Sequence, residues 1–261
     1  MKKTALITGA SSGIGLELAR IHASKGGDLV LVARNKTKLD ELKAELEGLH
    51  KINVYTIGKD LSLINATREV YDETNSQNIQ IDYLINNAGF GYYGMFAESD
   101  WGRTSQMINL NITALTHLTK LYLTDMMKRK SGKIMNVAST ASFQPGPLMT
   151  VYYATKAYVL SFSEAINNEV GDQGITVTAL CPGPTESGFM AAAKLEESKL
   201  FQDKKFPSSR KVAEYGYDAM IKGKAVAIHG ILNRILAFSV RLVPRSMIVR
   251  VTRSIQEKKT K

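Results

Sequence analysis

Cysteine, histidine and long hydrophobic runs are scarce in this chain. Its 261 residues include one cysteine, Cys181, and four histidines that are scattered along the sequence. A single cysteine excludes an internal disulfide and fits a reducing compartment. It also leaves no cluster of ligands with metal-binding spacing, so we expect no metal site. No stretch reaches the roughly 18 uncharged apolar residues that a membrane-spanning helix needs. Together these features predict a cytoplasmic protein.

The net charge of +10 is confined to one end of the chain. Residues 194–261 carry 16 basic and 6 acidic side chains, which accounts for the whole excess. No nucleic-acid-binding module accompanies this charge, so we expect no nucleic-acid partner. In residues 231–261 arginines alternate with apolar side chains, and Pro244 is expected to divide two amphipathic helices. Such a segment can lie on an anionic membrane, pack on its own subunit or form a subunit interface.

Apolar strands alternate with helical segments along most of the chain. Strands that are apolar on both faces predict a parallel sheet covered by helices on both sides. We therefore expect a single Rossmann-type doubly wound α/β domain with a seven-stranded parallel sheet. Its catalytic part would span residues 1–230, with a substrate lid at about 184–206, and residues 231–261 would extend the same domain. The predicted strands are Thr4 to Thr8, Asp28 to Ala33, Ile52 to Ile57, Tyr83 to Asn86, Lys133 to Ala138, Thr176 to Leu180 and Ala225 to Gly230.

A glycine-rich turn follows the first predicted strand and precedes the first helix. Its spacing is Gly9-x3-Gly13-x-Gly15, directly after Thr8. Glycines let the backbone approach a pyrophosphate, and a helix N-terminus supplies free N–H donors. The alternative is a helix-capping loop in another α/β fold, because Ser11 and Ser12 are favourable N-cap residues.

The residue that ends the second predicted strand indicates which dinucleotide binds. An acidic residue there is typical of NAD sites, whereas an arginine accommodates the 2′-phosphate of NADP. Arg34 occupies this region, and no carboxylate follows until Asp40. The planar guanidinium suits bidentate phosphate binding, so the sequence favours NADP(H).

Tyr152 and Lys156 stand four residues apart and share one face of a predicted helix. A free phenol has a pKa of roughly 10, which is too high for efficient proton transfer near neutral pH. A nearby ammonium favours the phenolate and is expected to lower that pKa.

Six motifs in a fixed order accompany this pair. They are Thr8-Gly-x3-Gly-x-Gly15, Asp60-Leu61, Asn86-Asn-Ala-Gly89, Asn111 and Ser139 before the pair, and Pro182-Gly183 after it. With these residues the chain resembles the short-chain dehydrogenase/reductase family over roughly residues 4–187. The resemblance implies an enzyme in which Tyr152 is the general acid and Ser139 donates a hydrogen bond to the substrate oxygen. Lys156 would hold the nicotinamide ribose, and Asn111 would anchor a water that passes protons to Lys156.

The resemblance also implies a set of cofactor-binding residues. Asp60 and Leu61 would contact the adenine end, and Asn87 to Gly89 the middle of the cofactor. The implied set is Gly9, Ser11, Ser12, Gly13, Ile14, Gly15, Arg34, Asp60, Leu61, Asn87, Ala88, Gly89, Tyr152, Lys156, Pro182, Gly183 and Thr185. Four polar neighbours of the catalytic positions are assigned to packing or capping instead, namely Asn109, Thr140, Ser142 and Tyr153.

Three loops should enclose the substrate, at about residues 90–96, 142–149 and 186–206. Their apolar side chains suggest a largely apolar ketone, such as a steroid or an acyl chain. The alternative is that these side chains only pack the underside of the lid. They are Phe90, Tyr92, Tyr93, Phe143, Met149, Phe189, Met190 and Phe201.

Two classes of function compete at this point. One is an NADP(H)-dependent oxidoreductase that acts on a ketone or a secondary alcohol, as a homodimer or homotetramer. The other is a sensor or scaffold that binds NADP(H) without turnover. A scaffold has no need of a proton relay, so the set of Asn111, Ser139, Tyr152 and Lys156 favours the enzyme.

Overall fold

Seven parallel strands form one sheet at the centre of the molecule. The computed structural model describes residues 2–186 and 206–257. The strand order is β3-β2-β1-β4-β5-β6-β7, so the chain reverses its direction of winding between β1 and β4. The carboxyl ends of these two strands flank the crevice where doubly wound sheets bind ligands. The strands are β1 Thr4–Thr8, β2 Asp28–Ala33, β3 Val54–Gly58, β4 Tyr83–Asn86, β5 Gly132–Val137, β6 Ile175–Cys181 and β7 Val226–Ile228.

Helices cover both faces of this sheet. Alternate strand residues point to opposite faces, so Ile7 and Leu31 join one core while Leu6 and Val30 join the other. Helices α1, α2 and α7 pack on the first face, and α3, α5 and the end of α6 pack on the second. The helices are α1 Gly13–Ser24, α2 Lys36–Leu49, α3 Ala66–Ser76, α4 Trp101–Ile108, α5 Leu115–Arg129, α6 Thr150–Val170, α7 Ser209–Ile221, α8 Ile231–Ser239 and α9 Arg245–Gln256.

The predicted fold class is confirmed, and the main differences concern where elements begin and end. The third strand begins at Val54 rather than Ile52, because its pairing with β2 starts opposite Leu29. The first helix begins at Gly13, although the helical periodicity of the sequence starts only at Leu16. The sequence also predicts one long helix from about Thr104 to Lys130, which in the structure contains a π-helical segment, Asn109–Ala114, between α4 and α5. A π turn is wider than an α turn, a feature common at functional sites.

The C-terminal segment forms two helices that return to the body of the same chain. Pro244 precedes α9 and divides it from α8, as the sequence predicts. The hydroxyl of Tyr93 donates a hydrogen bond of 2.7 Å to the backbone carbonyl of Gln256. Of the three arrangements left open by the sequence, packing on its own subunit is therefore present. None of the helices described in residues 2–186 and 206–257 is long and apolar enough to cross a bilayer.

Candidate active site

A cavity of about 570 Å³ lies at the carboxyl ends of the strands. Its size is within the usual range for small-molecule sites. Most of the predicted site residues line this one cavity, although they come from seven separate stretches of chain. They are Gly9, Ser11, Ser12, Gly13, Ile14, Arg34, Asp60, Leu61, Asn87, Ala88, Gly89, Ser139, Tyr152, Lys156, Pro182, Gly183 and Thr185.

The glycine-rich loop is tied to the loop after β4 by side chains of both. The Thr8 hydroxyl accepts hydrogen bonds from the backbone N–H groups of Asn87 and Ala88, each at 3.0 Å. The Asn87 amide in turn donates to the carbonyls of Thr8 and Gly9, at 2.9 and 3.2 Å. Gly15 does not line the cavity. A Cβ there would lie 2.4 Å from the Asn87 amide nitrogen, so this packing requires a glycine at position 15.

The start of α1 keeps its backbone donors available. Ser12 occupies the N-cap position, but its side chain makes no capping hydrogen bond. The helix-capping alternative for this loop therefore lacks its main contact. Gly9 and Gly13 have φ angles of +67° and +58°, a backbone conformation that glycine adopts at little cost. A loop of this shape at a helix N-terminus fits the pyrophosphate of a dinucleotide.

Arg34 directly follows β2 and lines the cavity at the end where the glycine-rich loop lies. It is exposed, and within the described parts of the chain it has no ion-pair partner. Lys59 also lines this part of the cavity, but it pairs with Glu69, and nearby Lys36 pairs with Asp40, each at 2.6 Å. Of the two cations that line this part of the cavity, Arg34 is thus the one whose charge is available for a ligand phosphate.

Tyr152, Ser139 and Lys156 meet at the other end of the cavity. Tyr152 and Lys156 lie one turn apart on α6, and the Lys156 Nζ is 5.8 Å from the centroid of the Tyr152 ring. The Lys156 ammonium is buried and donates a 2.7 Å hydrogen bond to the carbonyl of Val137. Ser139 follows β5, and its hydroxyl is a hydrogen-bonding neighbour of the Tyr152 phenol.

Burial dominates the acid–base properties of these groups. It raises the pKa of Tyr152 above the ordinary value, while the Ser139 hydroxyl acts in the opposite direction. Burial also lowers the pKa of Lys156 to about 8, because desolvation disfavours the ammonium. Lys156 is not among the groups that change the pKa of Tyr152 in this structure. The predicted lowering of that pKa by Lys156 thus stays a prediction.

Asn111 lies behind the cavity wall rather than on it. It is fully buried in the π-helical segment, and its amide nitrogen donates to the Phe90 carbonyl at 3.0 Å and to the Thr155 hydroxyl at 3.1 Å. Its amide oxygen accepts from the backbone N–H of Phe90 at 3.2 Å. These contacts make the Asn111 side chain a brace between the loop after β4 and α6. The predicted water-anchoring role is not tested by them.

Of the four polar neighbours of the catalytic positions, Ser142 and Tyr153 have side-chain hydrogen bonds to other residues, and Thr140 and Tyr153 line the cavity. The Ser142 hydroxyl donates to the carbonyl of Lys156 at 2.7 Å, and Asn109 opens the π-helical segment. Tyr153 packs as expected, but it also lines the cavity, and its hydroxyl accepts a hydrogen bond from the Gln256 side chain. Burial raises the pKa of Tyr153 to about 12.

The predicted substrate loops contribute less to the cavity than expected. Phe90 and Met149 line it, whereas the rings of Phe143 and Tyr93 pack in small cores beside it. Tyr92 lies against the guanidinium of Arg103. Phe189, Met190 and Phe201 fall outside the described residues.

Sequence reasoning missed one wall of the cavity altogether. Helices α8 and α9 cover the catalytic end with five residues, here termed the C-terminal roof: Leu236, Ala237, Thr252, Ile255 and Gln256. Asn233 of α8 lines the cavity outside this roof, and a Cβ on Gly183 would lie 2.6 Å from its side chain. The spacing of Thr252, Ile255 and Gln256 marks one helical face, but a spacing alone does not show what that face covers.

Comparisons with known proteins agree with this architecture. The chain is 33% identical over 184 residues to the human very-long-chain 3-oxoacyl-CoA reductase, covering 68% of this chain and 58% of that protein. It is 36% identical over 186 residues to 11-beta-hydroxysteroid dehydrogenase 1A of Arabidopsis thaliana, covering 71% and 53%. The chain therefore spans little more than half the length of these relatives.

Two solved structures match nearly the whole chain. A short-chain dehydrogenase from Sphingobium yanoikuyae in complex with NADPH is 30% identical, with a TM-score of 0.83 and coverage of 98% of this chain and 99% of that chain. A bulky-bulky ketone specific alcohol dehydrogenase from Comamonas testosteroni is 31% identical, with a TM-score of 0.79 and coverage of 92% of each chain.

The family model described as short chain dehydrogenase matches residues 3–198, which include every motif that brings a side chain to the cavity from the central sheet. The order of those motifs, the sheet on which they lie and this match lead to the same assignment. The chain belongs to the short-chain dehydrogenase family.

Proposed function

We propose that this protein is an NADP(H)-dependent oxidoreductase that interconverts a fairly apolar ketone and its secondary alcohol. The observation that carries the proposal is the meeting of Tyr152, Ser139 and Lys156 at one end of a cavity whose other end holds the glycine-rich loop. A phenol with a hydroxyl beside it is suited to donate a proton to a carbonyl oxygen. A sensor that binds NADP(H) without turnover would not need these buried polar groups.

Each catalytic side chain has a distinct part in the proposed reaction. The nicotinamide, when bound, supplies or accepts the hydride. Tyr152 donates its phenolic proton to the substrate oxygen during reduction and takes it back during oxidation. Ser139 donates a hydrogen bond to the same oxygen and stabilises the charge that develops there. Lys156 places a positive charge beside Tyr152, which favours proton loss from the phenol, and holds the ribose.

The basic side chain at the end of β2 supports NADP(H) as the cofactor. Arg34 lies on the cavity wall with its charge uncompensated by any described carboxylate, and a 2′-phosphate would compensate it. The match to a dehydrogenase in complex with NADPH supports the same choice. Reduction is the proposed direction, since it follows from the NADP(H) preference.

The walls near Tyr152 support an apolar substrate. Met149, Leu236, Ala237 and Ile255 surround this end of the cavity, with the ring of Tyr153 beside them. The matched relatives include proteins named for 3-oxoacyl-CoA and hydroxysteroid substrates, and a structure described as specific for bulky-bulky ketones. All three names denote large substrates that contain a ketone or a secondary alcohol.

A panel of ketones tests the proposed function. The protein is incubated with NADPH or NADH and with ketones graded from small and polar to bulky and apolar, and cofactor oxidation is followed. We expect bulky ketones to be reduced with NADPH in preference to NADH. Turnover of small polar ketones alone would contradict the apolar substrate, and turnover of none would favour the sensor.

A second feature supports contact with a lipid surface. Apolar side chains are exposed on the outer face of α8, α9 and their connection, and arginines lie between them. Five arginines and one glutamate occupy residues 231–257, so this face is basic as well as apolar, as in helices that lie on anionic membranes. The exposed apolar residues are Ile231, Leu232, Ile235, Phe238, Leu242, Met247 and Val251.

Vesicle flotation of the full chain tests this contact. We expect binding to vesicles that contain phosphatidylserine, weaker binding at high salt, and loss of binding when Arg241, Arg245 and Arg250 are changed to Glu. A control variant with the same charge change at exposed sites elsewhere, Lys38, Lys120 and Lys224, should still bind. If no form floats and the protein instead sediments as a homodimer or homotetramer that the arginine variant disrupts, the face is a subunit interface.

A further inference from the structure

Two polar side chains stand on the cavity face of α9, within a roof that is otherwise apolar. Thr252 and Gln256 are one helical turn apart, and their side chains are 7% and 1% exposed. Leu236, Ala237 and Ile255 complete the roof around them. Burying polar groups among apolar ones is costly unless they find hydrogen-bond partners. Their position therefore calls for a physical reason.

Gln256 is fixed firmly next to the catalytic tyrosine. Its backbone carbonyl accepts a hydrogen bond from Tyr93, and its side-chain amide donates one to the hydroxyl of Tyr153. The ring of Tyr153 lies 6.1 Å from the ring of Tyr152, centroid to centroid. The Gln256 amide is thus one tyrosine away from the group that would protonate the substrate.

One half of this amide is left without a partner. The Oε1 atom of Gln256 is buried and accepts no hydrogen bond from any residue in the described parts of the chain. Leaving a buried acceptor unpaired costs about 1–3 kcal/mol, so native proteins rarely do so without a functional reason. Gln256 itself forms part of the cavity wall, and the terminal torsion of a glutamine side chain is soft. A small rotation would bring Oε1 to a ligand in the cavity.

We propose that Gln256, with Thr252 beside it, is a polar substrate-binding site in the roof that accepts a hydrogen bond from a hydroxyl or amide N–H of the substrate. This inference rests on the proposed function and sharpens it. The substrate is then a bulky apolar ketone that carries one hydrogen-bond donor at a distance from the carbonyl undergoing reduction. Tyr153 is a positioning residue, which holds the amide in place through its hydroxyl.

Matched pairs of ligands test the proposal directly. A set of bulky ketones, each with its analogue lacking one remote hydroxyl, is titrated calorimetrically into the protein in the presence of NADP⁺. For at least one pair we expect the wild type to bind the hydroxylated member about 10- to 100-fold more tightly, the range of one good buried hydrogen bond. In Gln256→Met, which keeps the length of the side chain, this ratio should fall close to one.

Three further variants separate recognition from support of the helix. Thr252→Val replaces the hydroxyl by a methyl group and should lower the ratio by about 3- to 10-fold. This is the effect expected from the loss of one hydrogen bond between uncharged groups. Tyr153→Phe should lower it as well, because the amide loses its anchor. Tyr93→Phe removes the contact to the backbone carbonyl and leaves the Gln256 amide in place, so it should change both members of a pair equally and leave the ratio unchanged.

The outcome is independent of whether turnover is observed. If no pair shows a ratio in the wild type that Gln256→Met removes, the polar site is refuted, even when ketones are reduced with NADPH. If the ratio is present and removed but no ketone is reduced, the polar site stands and the proposed oxidoreductase function fails.

Discussion

The two ends of the cavity are built in different ways. The cofactor end consists of short loops that follow β1, β2 and β4, and hydrogen bonds of Thr8 and Asn87 fix their backbones to one another. The C-terminal roof comes from a segment that follows the last strand, and Tyr93 and Tyr153 hold its end. A fixed cofactor end suits chemistry that is common to many substrates, whereas a separately attached roof can differ from one protein to another without disturbing that chemistry.

The largest expected effect is at the junction of the two ends. Replacing Tyr152 by Phe removes the proton donor but keeps the ring, so kcat should fall by about 10²- to 10⁴-fold. Binding of NADPH, followed by its fluorescence, should remain as in the wild type, because the loops of the cofactor end are untouched. Tyr153→Phe is the matched control and should keep most of the kcat for a ketone without a remote hydroxyl. Equal losses in both variants would show that Tyr152 is not the acid.

The buried ammonium at the same junction should make stability depend on pH. The folded-state pKa of Lys156 is about 8, below the 10.5 of an exposed lysine, so the unfolded chain binds more protons between these two pH values. Stability therefore rises with pH across this window, relative to Lys156→Met, by an amount on the order of 3 kcal/mol at most. Below pH 8 both states are protonated, and the difference between the two proteins should be constant.

Urea unfolding of wild type and Lys156→Met at pH 7, 8, 9 and 10 measures this dependence. Comparison of the two proteins cancels the other groups that titrate in this range. If the unfolding free energies of the two proteins differ by the same amount at all four pH values, burial does not perturb the pKa of Lys156.

These contrasts also explain what could be predicted from the sequence. The loop of the cofactor end was predictable because positive φ angles, as at Gly9, restrict the residue type and because its contacts lie within a few residues of a strand end. Arg34 was predictable because it directly follows β2. In a parallel sheet the carboxyl end of β2 lies beside that of β1, where the glycine-rich loop begins. Chemistry common to a family leaves contiguous motifs of this kind.

The roof and the braces could not be predicted in the same way. The period of α9 shows that Thr252 and Gln256 share a face, but the surface that this face covers depends on how the chain turns after β7. The structural contacts of Asn111 depend on the π-helical segment, where the turn widens. Gly15 was assigned to the cofactor because nothing in the sequence shows that the Asn87 side chain occupies the space beside it.

At the cofactor end, Arg34→Ala should reduce the preference for NADPH over NADH. The loss of a charge-assisted contact to a 2′-phosphate, worth about 1.5–3 kcal/mol, should raise the KM for NADPH by about 10- to 100-fold. The KM for NADH should change little, since it has no 2′-phosphate. Lys36→Ala is the control, because Lys36 is paired with Asp40. If the two substitutions raise the KM for NADPH equally, the 2′-phosphate is attracted by the combined positive charge of several side chains and not by Arg34 in particular.

The smallest effect should be confined to the roof. Ala237 is 5% exposed and lines the cavity, so Ala237→Phe should take space from the substrate. We expect kcat/KM for a bulky ketone to fall about tenfold relative to that for a small ketone. Changes in the volume of an apolar pocket typically discriminate between substrates by about this factor. The KM for NADPH should stay the same, because Ala237 belongs to the substrate end.

Ile235→Phe, on the exposed side of the same helix, should leave the ratio of the two ketones unchanged. A rise in the KM for NADPH that accompanies the loss of the bulky ketone would contradict the separation of the two ends, because it would show that the roof also shapes the cofactor site.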